Sequence, residues 1–468
     1  MASRHTAASR SADRLVRVPF RFVNDAVGMR GRSVLFALAL AATGCASSPY
    51  DRGWVEKAIT DATGHAPGKA AILAPSLPPG VATLGAVTAD DAVATALWNS
   101  ARFQVELTRL GFSRADLAEA GALPNPTLSF LLPIGPRQAE LTATYPIAAL
   151  LQRPYRVAAA KADVERTARS LVEVALDLVR DVRLAHAEAM VAVRRILLRR
   201  AVEQSWATIV RLTEVRQRAG DASELEVRAA RAEALGAADA TRRVEVDEQL
   251  ARQRLRRLAG LAESPLGERL AVAQVPVPPE LPAPADTLVK DAFAARPDVR
   301  GAELAIEAAG ERLGWERSKI VQVFARLDVK PIGTRGGAPS LVLPGATFDI
   351  PIFNWNPGGR ARAAAEMNQA AFRYVALRDD VATEVRIARE QLAQALGSLL
   401  PWREQVLPLL DANVTSAMKA YESGSETYLL VLDSTRRSQD ASLRALDLEA
   451  DVLRARALLE RAVGRKQT

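Results

Sequence analysis

Between Tyr155 and Arg218 no proline interrupts the chain. Within that stretch Leu171, Ala175, Leu178, Val182, Ala185, Ala189, Ala192 and Ile196 recur at alternating spacings of four and three. A seven-residue apolar repeat wraps helices in a left-handed supercoil, and alanine at the seam lets the axes approach closely. One helix of this length would reach roughly 95 Å, which no compact domain needs. Val381, Val385, Ala388, Leu392, Ala395, Leu399, Trp402, Val406 and Leu409 repeat the pattern. Only 11 Phe, 6 Trp and 6 Tyr occur in 468 residues. That scarcity suits long helices joined by thin alanine and leucine seams better than one thick core.

The two halves of the chain match. Gly220, Leu225, Val227, Glu245 and Gly260 each stand 204 residues before Gly424, Leu429, Val431, Glu449 and Gly464. This is an internal duplication. Four short stretches alternate apolar and polar residues, the weak signature of membrane strands. Leu128, Phe130, Leu132 and Ile134 share one face, and Leu141, Ala143, Tyr145 and Ile147 another. Val321 to Val329 give a third; Leu341 and Leu343, then Phe348, Ile350 and Ile352, give a fourth with a slip near Gly345 that suggests a bulge. Two hairpins follow, turning at Gly135-Pro136 and near Gly333 to Gly337.

The reading divides the chain as follows. Residues 1–44 are a leader and 45–85 an extended arm. Repeat 1 occupies 86–260, with strands at about 127–147 and long helices at about 155–218 and 222–259. A Pro-rich linker spans 261–285, because Ala273 to Pro284 (AQVPVPPELPAP) cannot continue a helix. Repeat 2 occupies 286–464, with strands at about 320–353 and helices at about 360–420 and 425–463. Residues 465–468 are a tail.

The formal charge of +8 is concentrated in the leader, which carries seven arginines against two aspartates. The remaining 55 basic and 52 acidic residues nearly cancel, so no nucleic-acid footprint marks the body. Ser33 to Ala42 (SVLFALALAA) has the length of a signal h-region and is too short to span a bilayer. Ala42-Thr43-Gly44 then precedes Cys45, the only cysteine. That run resembles a bacterial lipobox, with Ala42 where the pattern prefers leucine; the resemblance implies that Cys45 is lipidated. The alternative is an ordinary secretory signal with a bystander cysteine. Met29-Arg30-Gly31-Arg32 forms a compact n-region by itself, which makes Met29 a second candidate start.

Four motifs in order resemble one family. Gly121-Ala122-Leu123-Pro124-Asn125-Pro126-Thr127-Leu128 is similar to the first-strand entry of TolC-like outer-membrane factors. Arg296-Pro297-Asp298-Val299-Arg300 resembles the opening of their second repeat. Pro351-Ile352-Phe353-Asn354-Trp355 with Gly359-Arg360 resembles the strand-to-helix joint, and Tyr421 to Asp433 the second periplasmic tip turn. The chain departs from the family at Ile320 to Phe324 (IVQVF), where a Phe-Pro pair is common. The expected fold is mostly α with a small membrane β part, built from duplicated coiled-coil hairpins and two β-hairpins. Four strands leave costly unpaired edges in hydrocarbon, and the smallest closed membrane barrels have about eight. Several chains must therefore share one barrel. The resemblance implies three, giving a 12-stranded β-barrel above a periplasmic α-barrel.

His5, His65 and His186 are the only histidines, and no zinc-protease, C-x-x-C, P-loop or nucleophile-elbow motif is present. We therefore expect no catalysis, cofactor or metal site. The resemblance implies a passive outer-membrane exit channel whose partners are two further copies, a periplasmic adaptor, an inner-membrane transporter and membrane lipid. Gly220 and Gly424 are the expected tip turns. In resembling channels two aspartates narrow the second tip; here Leu430 occupies the first position and Asp433 the second. Asp433 otherwise reads as a helix-dipole partner. Glu226 matches Leu430 in the first repeat. A lipid-anchored coiled-coil adaptor is the alternative, but it predicts one helical hairpin between lipoyl-like halves. A lipid-anchored enzyme lacks any site.

Overall fold

The computed structural model describes residues 46–68, 74–132, 139–277, 279–330 and 341–466. The Cys45 lipidation site, Ile134, and the two hairpin turns near Gly135 and Gly333 lie outside these residues.

Repeat 1 opens with α1 (Arg52–Thr63), α2 (Ala89–Asn99) and α3 (Ala101–Gly121), then β1 (Thr127–Leu131) and β2 (Glu140–Pro146). It closes with α4 (Ala148–Ala219) and α5 (Glu224–Leu258). A single turn, α6 (Pro265–Glu268), interrupts the linker. Repeat 2 runs α7 (Ala285–Ala295), α8 (Pro297–Ser318), β3 (Val323–Lys330), β4 (Leu341–Phe348), α9 (Pro357–Pro401), α10 (Leu407–Glu422) and α11 (Tyr428–Val463).

The heptad reading holds for α4, which is a 72-residue helix, on the order of 110 Å long. Leu171, Ala175, Val182, Ala185, Ala189 and Ala192 are buried along its seam. It begins upstream of the expected start and carries Pro154 inside it. In repeat 2 the expected unbroken helix is broken. A π-turn at Trp402–Val406 separates α9 from α10, the Leu407 N–H bonding back to Trp402 O. Pro401 just before it has no N–H to give the helix ladder. The extra residue rotates the following face, so Val381 to Leu399 are buried while Leu409, expected on the seam, is exposed.

The arm is not wholly extended: α1 lies within it, capped by Asp51 and ended by Gly64 in the left-handed region. Its apolar side is Val55 and Ile59, both fully buried, with Trp54, Ala58 and Ala62 packed beside them.

The duplication has a physical basis at each repeat's inner joint. Gly260 and Gly464 both have positive φ. A Cβ on Gly260 would lie 2.5 Å from Asn99 O, and one on Gly464 would lie 2.9 Å from the Arg296 side chain. Asn99 ends α2 at its Ser100 break with α3, and Arg296 is the matching break between α7 and α8. Arg296 is buried; it pairs with Asp298 at 2.7 Å and Glu384 at 2.6 Å and donates to Ala462 O at 3.0 Å.

The four strands form one antiparallel sheet in the order β1-β2-β3-β4. Register places Leu128 opposite Ala143, Ala143 opposite Leu327, and Leu327 opposite Pro344. One face therefore carries Leu128 and Phe130, Leu141 to Tyr145, Val323 to Val329, and Val342, Pro344, Ala346 and Phe348. None of these belongs to the three apolar clusters of the helical body. The expected bulge near Gly345 is absent, since pairing with β3 is continuous from Val323 to Lys330. Leu341 and Leu343 lie on the opposite face. Both faces of β4 are apolar, so alternation alone could not set its phase. The strands are also shorter than expected: Val321, Ile147, Ile350 and Ile352 fall outside them.

Candidate functional site

The two helical hairpins turn by the same device. α4 ends at Gly220 (φ 88°), whose left-handed backbone lets the Asp221 N–H reach back to Arg216 O. α10 ends just before Gly424 (φ 75°), and the Ser425 N–H reaches Ala420 O. Glycine tolerates this geometry without the Cβ penalty. Beyond each turn the duplicated leucines point outward, Leu225 76% and Leu429 69% exposed, while Val227 and Val431 are buried. Each hairpin thus presents an exposed leucine at its tip.

The tips are held together across the hairpins. The Arg216 guanidinium stacks over the Tyr421 ring at 4.4 Å and donates to Tyr421 O. Arg436 pairs with Glu233. Tyr421 and Tyr428 are buried side by side, ring centroids 6.1 Å apart. Burial pushes the Tyr428 hydroxyl up to about 12, with the nearby Glu233 carboxylate adding to the shift.

Leu430 lies in the first turn of α11 and Asp433 one turn on, and both are exposed. Asp433 pairs at 2.9 Å with Arg437, its neighbour on the same helix. Leu430, Asp433, Arg437 and Asp440 form an exposed stripe at spacings of three and four. Glu226 is engaged elsewhere: its carboxylate accepts from Ser223 N at 3.1 Å, completing the capping box that starts α5. Among the described residues no group of three or more His, Cys, Asp or Glu side chains is placed to hold a metal ion.

At the other end of the helices, the second face of the sheet is polar through β2 and β3. Thr142 donates to Asp328 at 2.6 Å, Arg326 pairs with Asp328 at 2.8 Å, and Lys330 pairs with Glu140 at 3.0 Å. An apolar face backed by a paired polar face suits a wall between lipid and water. No described helix is long and apolar enough to cross a membrane.

No family model matches the chain. Over 390 residues it is 24% identical to the cobalt-zinc-cadmium resistance protein CzcC of Cupriavidus metallidurans, covering 81% of this chain and 91% of the relative. Over 267 residues it is 27% identical to the pyoverdine export outer membrane protein OpmQ of Pseudomonas aeruginosa, covering 55% and 54%. Its fold matches the outer membrane protein VceC of Vibrio cholerae with a TM-score of 0.69 at 17% identity, over 81% of this chain and 96% of that one. The chain has the fold of these outer-membrane channels and is similar in sequence to the two relatives.

Two features of this chain escaped sequence reasoning. Arg437 was visible as an i,i+4 partner of Asp433, but arginines are so frequent on these helices that spacing singled none out. The second is a knot of charges where α4 and α11 meet the arm. Arg183 pairs with Glu460 and with Asp90 at 3.2 Å, and Lys466 reaches Asp90 at 2.7 Å. His65, Lys466 and Arg183 together hold the Asp90 carboxyl well below the usual carboxylate range. Its members come from four distant segments, which no local motif could report. His186 is buried against Val87 O at 2.9 Å, and burial lowers its pKa. It lines the same cavity as Asp90, Arg183, Glu460 and Lys466.

Proposed function

We propose that three copies of this chain form a passive exit duct of a tripartite efflux system. Their sheets close one 12-stranded barrel in the outer membrane, and their helices form a periplasmic tunnel. The observation that carries the reading is the four-stranded sheet itself, with two open edges, one uncovered apolar face and one polar face. Open edges in hydrocarbon leave backbone groups unsatisfied, and a barrel removes them. The relative OpmQ is an outer membrane export protein and the matching solved structure VceC an outer membrane protein, which favours the channel over the adaptor reading. Two hairpins and a sheet are also what the adaptor reading does not predict.

Cys45 anchors the chain in lipid, and the tips at Gly220 and Gly424 dock a periplasmic adaptor and, through it, an inner-membrane transporter. Asp433 and Leu430 line the closed tip, with Glu226 contributing charge beside them. The names of the relatives span metal resistance and pyoverdine export, so similarity at this distance does not select the cargo. The test is native mass spectrometry of the detergent-extracted protein. It should release a species of three chains; a stable, folded monomer would refute the shared barrel.

A further inference from the structure

The backbone directions of the sheet can be followed from a single bond. The Asp349 N–H donates to Gln322 O at 3.1 Å, and these two residues stand directly opposite in the β3–β4 register. In an antiparallel pair, hydrogen-bonded and non-bonded pairs alternate. Phe324, Arg326, Asp328 and Lys330 therefore bond toward β4. Leu327 and Pro344 form a non-bonded pair, so the Pro344 nitrogen points away from β3, to the open edge. The same alternation carried through β2 leaves the N–H and C=O groups of Leu128 and Phe130 facing the open edge of β1. The β4 edge presents those of Val342, Ala346 and Phe348, and at Pro344 a carbonyl with no donor.

Within one copy, Ser129, Thr142, Asp328 and Leu343 lie in line across the sheet. Continuing that line into a neighbouring copy would place its Leu128 opposite Pro344 and its Phe130 opposite Val342. Two independent facts oppose this in-line register. The neighbour's Leu128 carbonyl would find no N–H at Pro344, in a medium where water cannot replace it. A barrel also closes only when its register is sheared, with strands tilted by about 35–45°.

We infer that β4 of one copy receives β1 of a second copy in a displaced register, against its Ala346–Phe348 end, and that Pro344 is the residue that forbids the in-line alternative. The inference rests on the shared-barrel reading above. Displacement must be by an even number of residues, because an odd step would turn the apolar face inward, and by at least four, because a step of two would set Phe130 opposite Pro344. Pro344 then lies opposite residues beyond Leu131, where β1 has already ended. A proline at a strand edge also blunts it against wrong pairing. Two β4 edges meeting in an isologous dimer would each bring a missing donor.

The experiment is disulfide crosslinking in the full chain, assembled in outer membranes, with single-cysteine controls for the native Cys45. The displaced pairs are L128C/F348C, F130C/A346C and F130C/F348C; the in-line pair, which retains Pro344, is F130C/V342C. Residues directly opposite on paired strands lie within disulfide reach. At least one displaced pair should yield linked species of two and three chains, severalfold above controls, while the in-line pair stays at the control level. A dominant in-line crosslink overturns the inference. So does the absence of every crosslink in a protein that native mass spectrometry shows as a trimer. If the same measurement finds only monomer, the shared barrel itself fails and the inference falls with it.

Discussion

Asp433 carries its own counter-ion. With Arg437 at 2.9 Å, a ring of three such residues is a ring of ion pairs, not of bare carboxylates. The alternative role for Asp433, complementing a helix dipole, is weak here. α11 begins at Tyr428, so Asp433 is beyond its first turn, where the dipole has largely faded. An exposed i,i+4 pair contributes only about 0.3–0.5 kcal/mol to stability. Its removal should therefore alter permeation without unfolding the tip. In planar bilayers at low salt, Arg437→Gln should raise cation preference and divalent block, because three carboxylates lose their partners. Asp433→Asn should shift preference toward anions. If neither variant differs from wild type while the trimer persists, this stripe lies outside the constriction. Leu430, one turn nearer the tip, would supply an apolar collar in place of a second acidic ring.

Among the elements, the long helices and their glycine turns were legible because the same spacing occurs twice, 204 residues apart. What escaped was short or ambiguous. α1 had readable caps in Asp51 and Gly64, but its packed face is short, Val55 and Ile59 flanked by Trp54 and the small Ala58 and Ala62. The π-turn was hidden because the heptad continues in sequence through Trp402, Val406 and Leu409, while Pro401 resets the phase in space. Leu341 and Leu343 of β4 were assigned the wrong face, while Phe348 was placed correctly, because leucine, valine and proline alternate there without a polar marker. The Arg296 motif shows the converse, a pattern matched before its purpose was visible. Arg296 is 6% exposed and ties the α7–α8 break to α9 and to the end of α11. Arg296→Ala would strand Asp298 with a partner lost in a buried setting, which typically costs about 3–5 kcal/mol. Thermal unfolding of the detergent-solubilised variant should reveal that loss as a clearly lowered midpoint. An unchanged midpoint would mean that the joint is held by Gly464 packing alone. At the far end, Gly424→Trp should stop transport while insertion and oligomer remain. The left-handed turn strains any side chain, yet no protein atom crowds the position closely. Undiminished transport would move adaptor docking away from this tip.

At the scale of the whole molecule, three zones follow one another along the helices: a sheet with an uncovered apolar face, a charge-knotted waist, and a pair of glycine turns bearing outward leucines. The chain enters this arrangement near the sheet. Ala46 packs so closely on Gly121 that a Cβ there would lie 2.5 Å from the Ala46 methyl. Gly121 ends α3, and β1 begins at Thr127 a few residues later. A lipid on the residue preceding Ala46 would thus be delivered beside the strand entry, where the apolar face begins. Such an anchor would add about 0.8 kcal/mol for each buried methylene. Mass spectrometry of the mature amino terminus should find Cys45 first in the chain and acylated. Cys45→Ala should be exported yet fail to be trimmed at Gly44, while the barrel still inserts through its apolar face. An unmodified Cys45 in the mature protein, or a cleavage site elsewhere in the leader, would return it to a bystander residue behind an ordinary secretory signal.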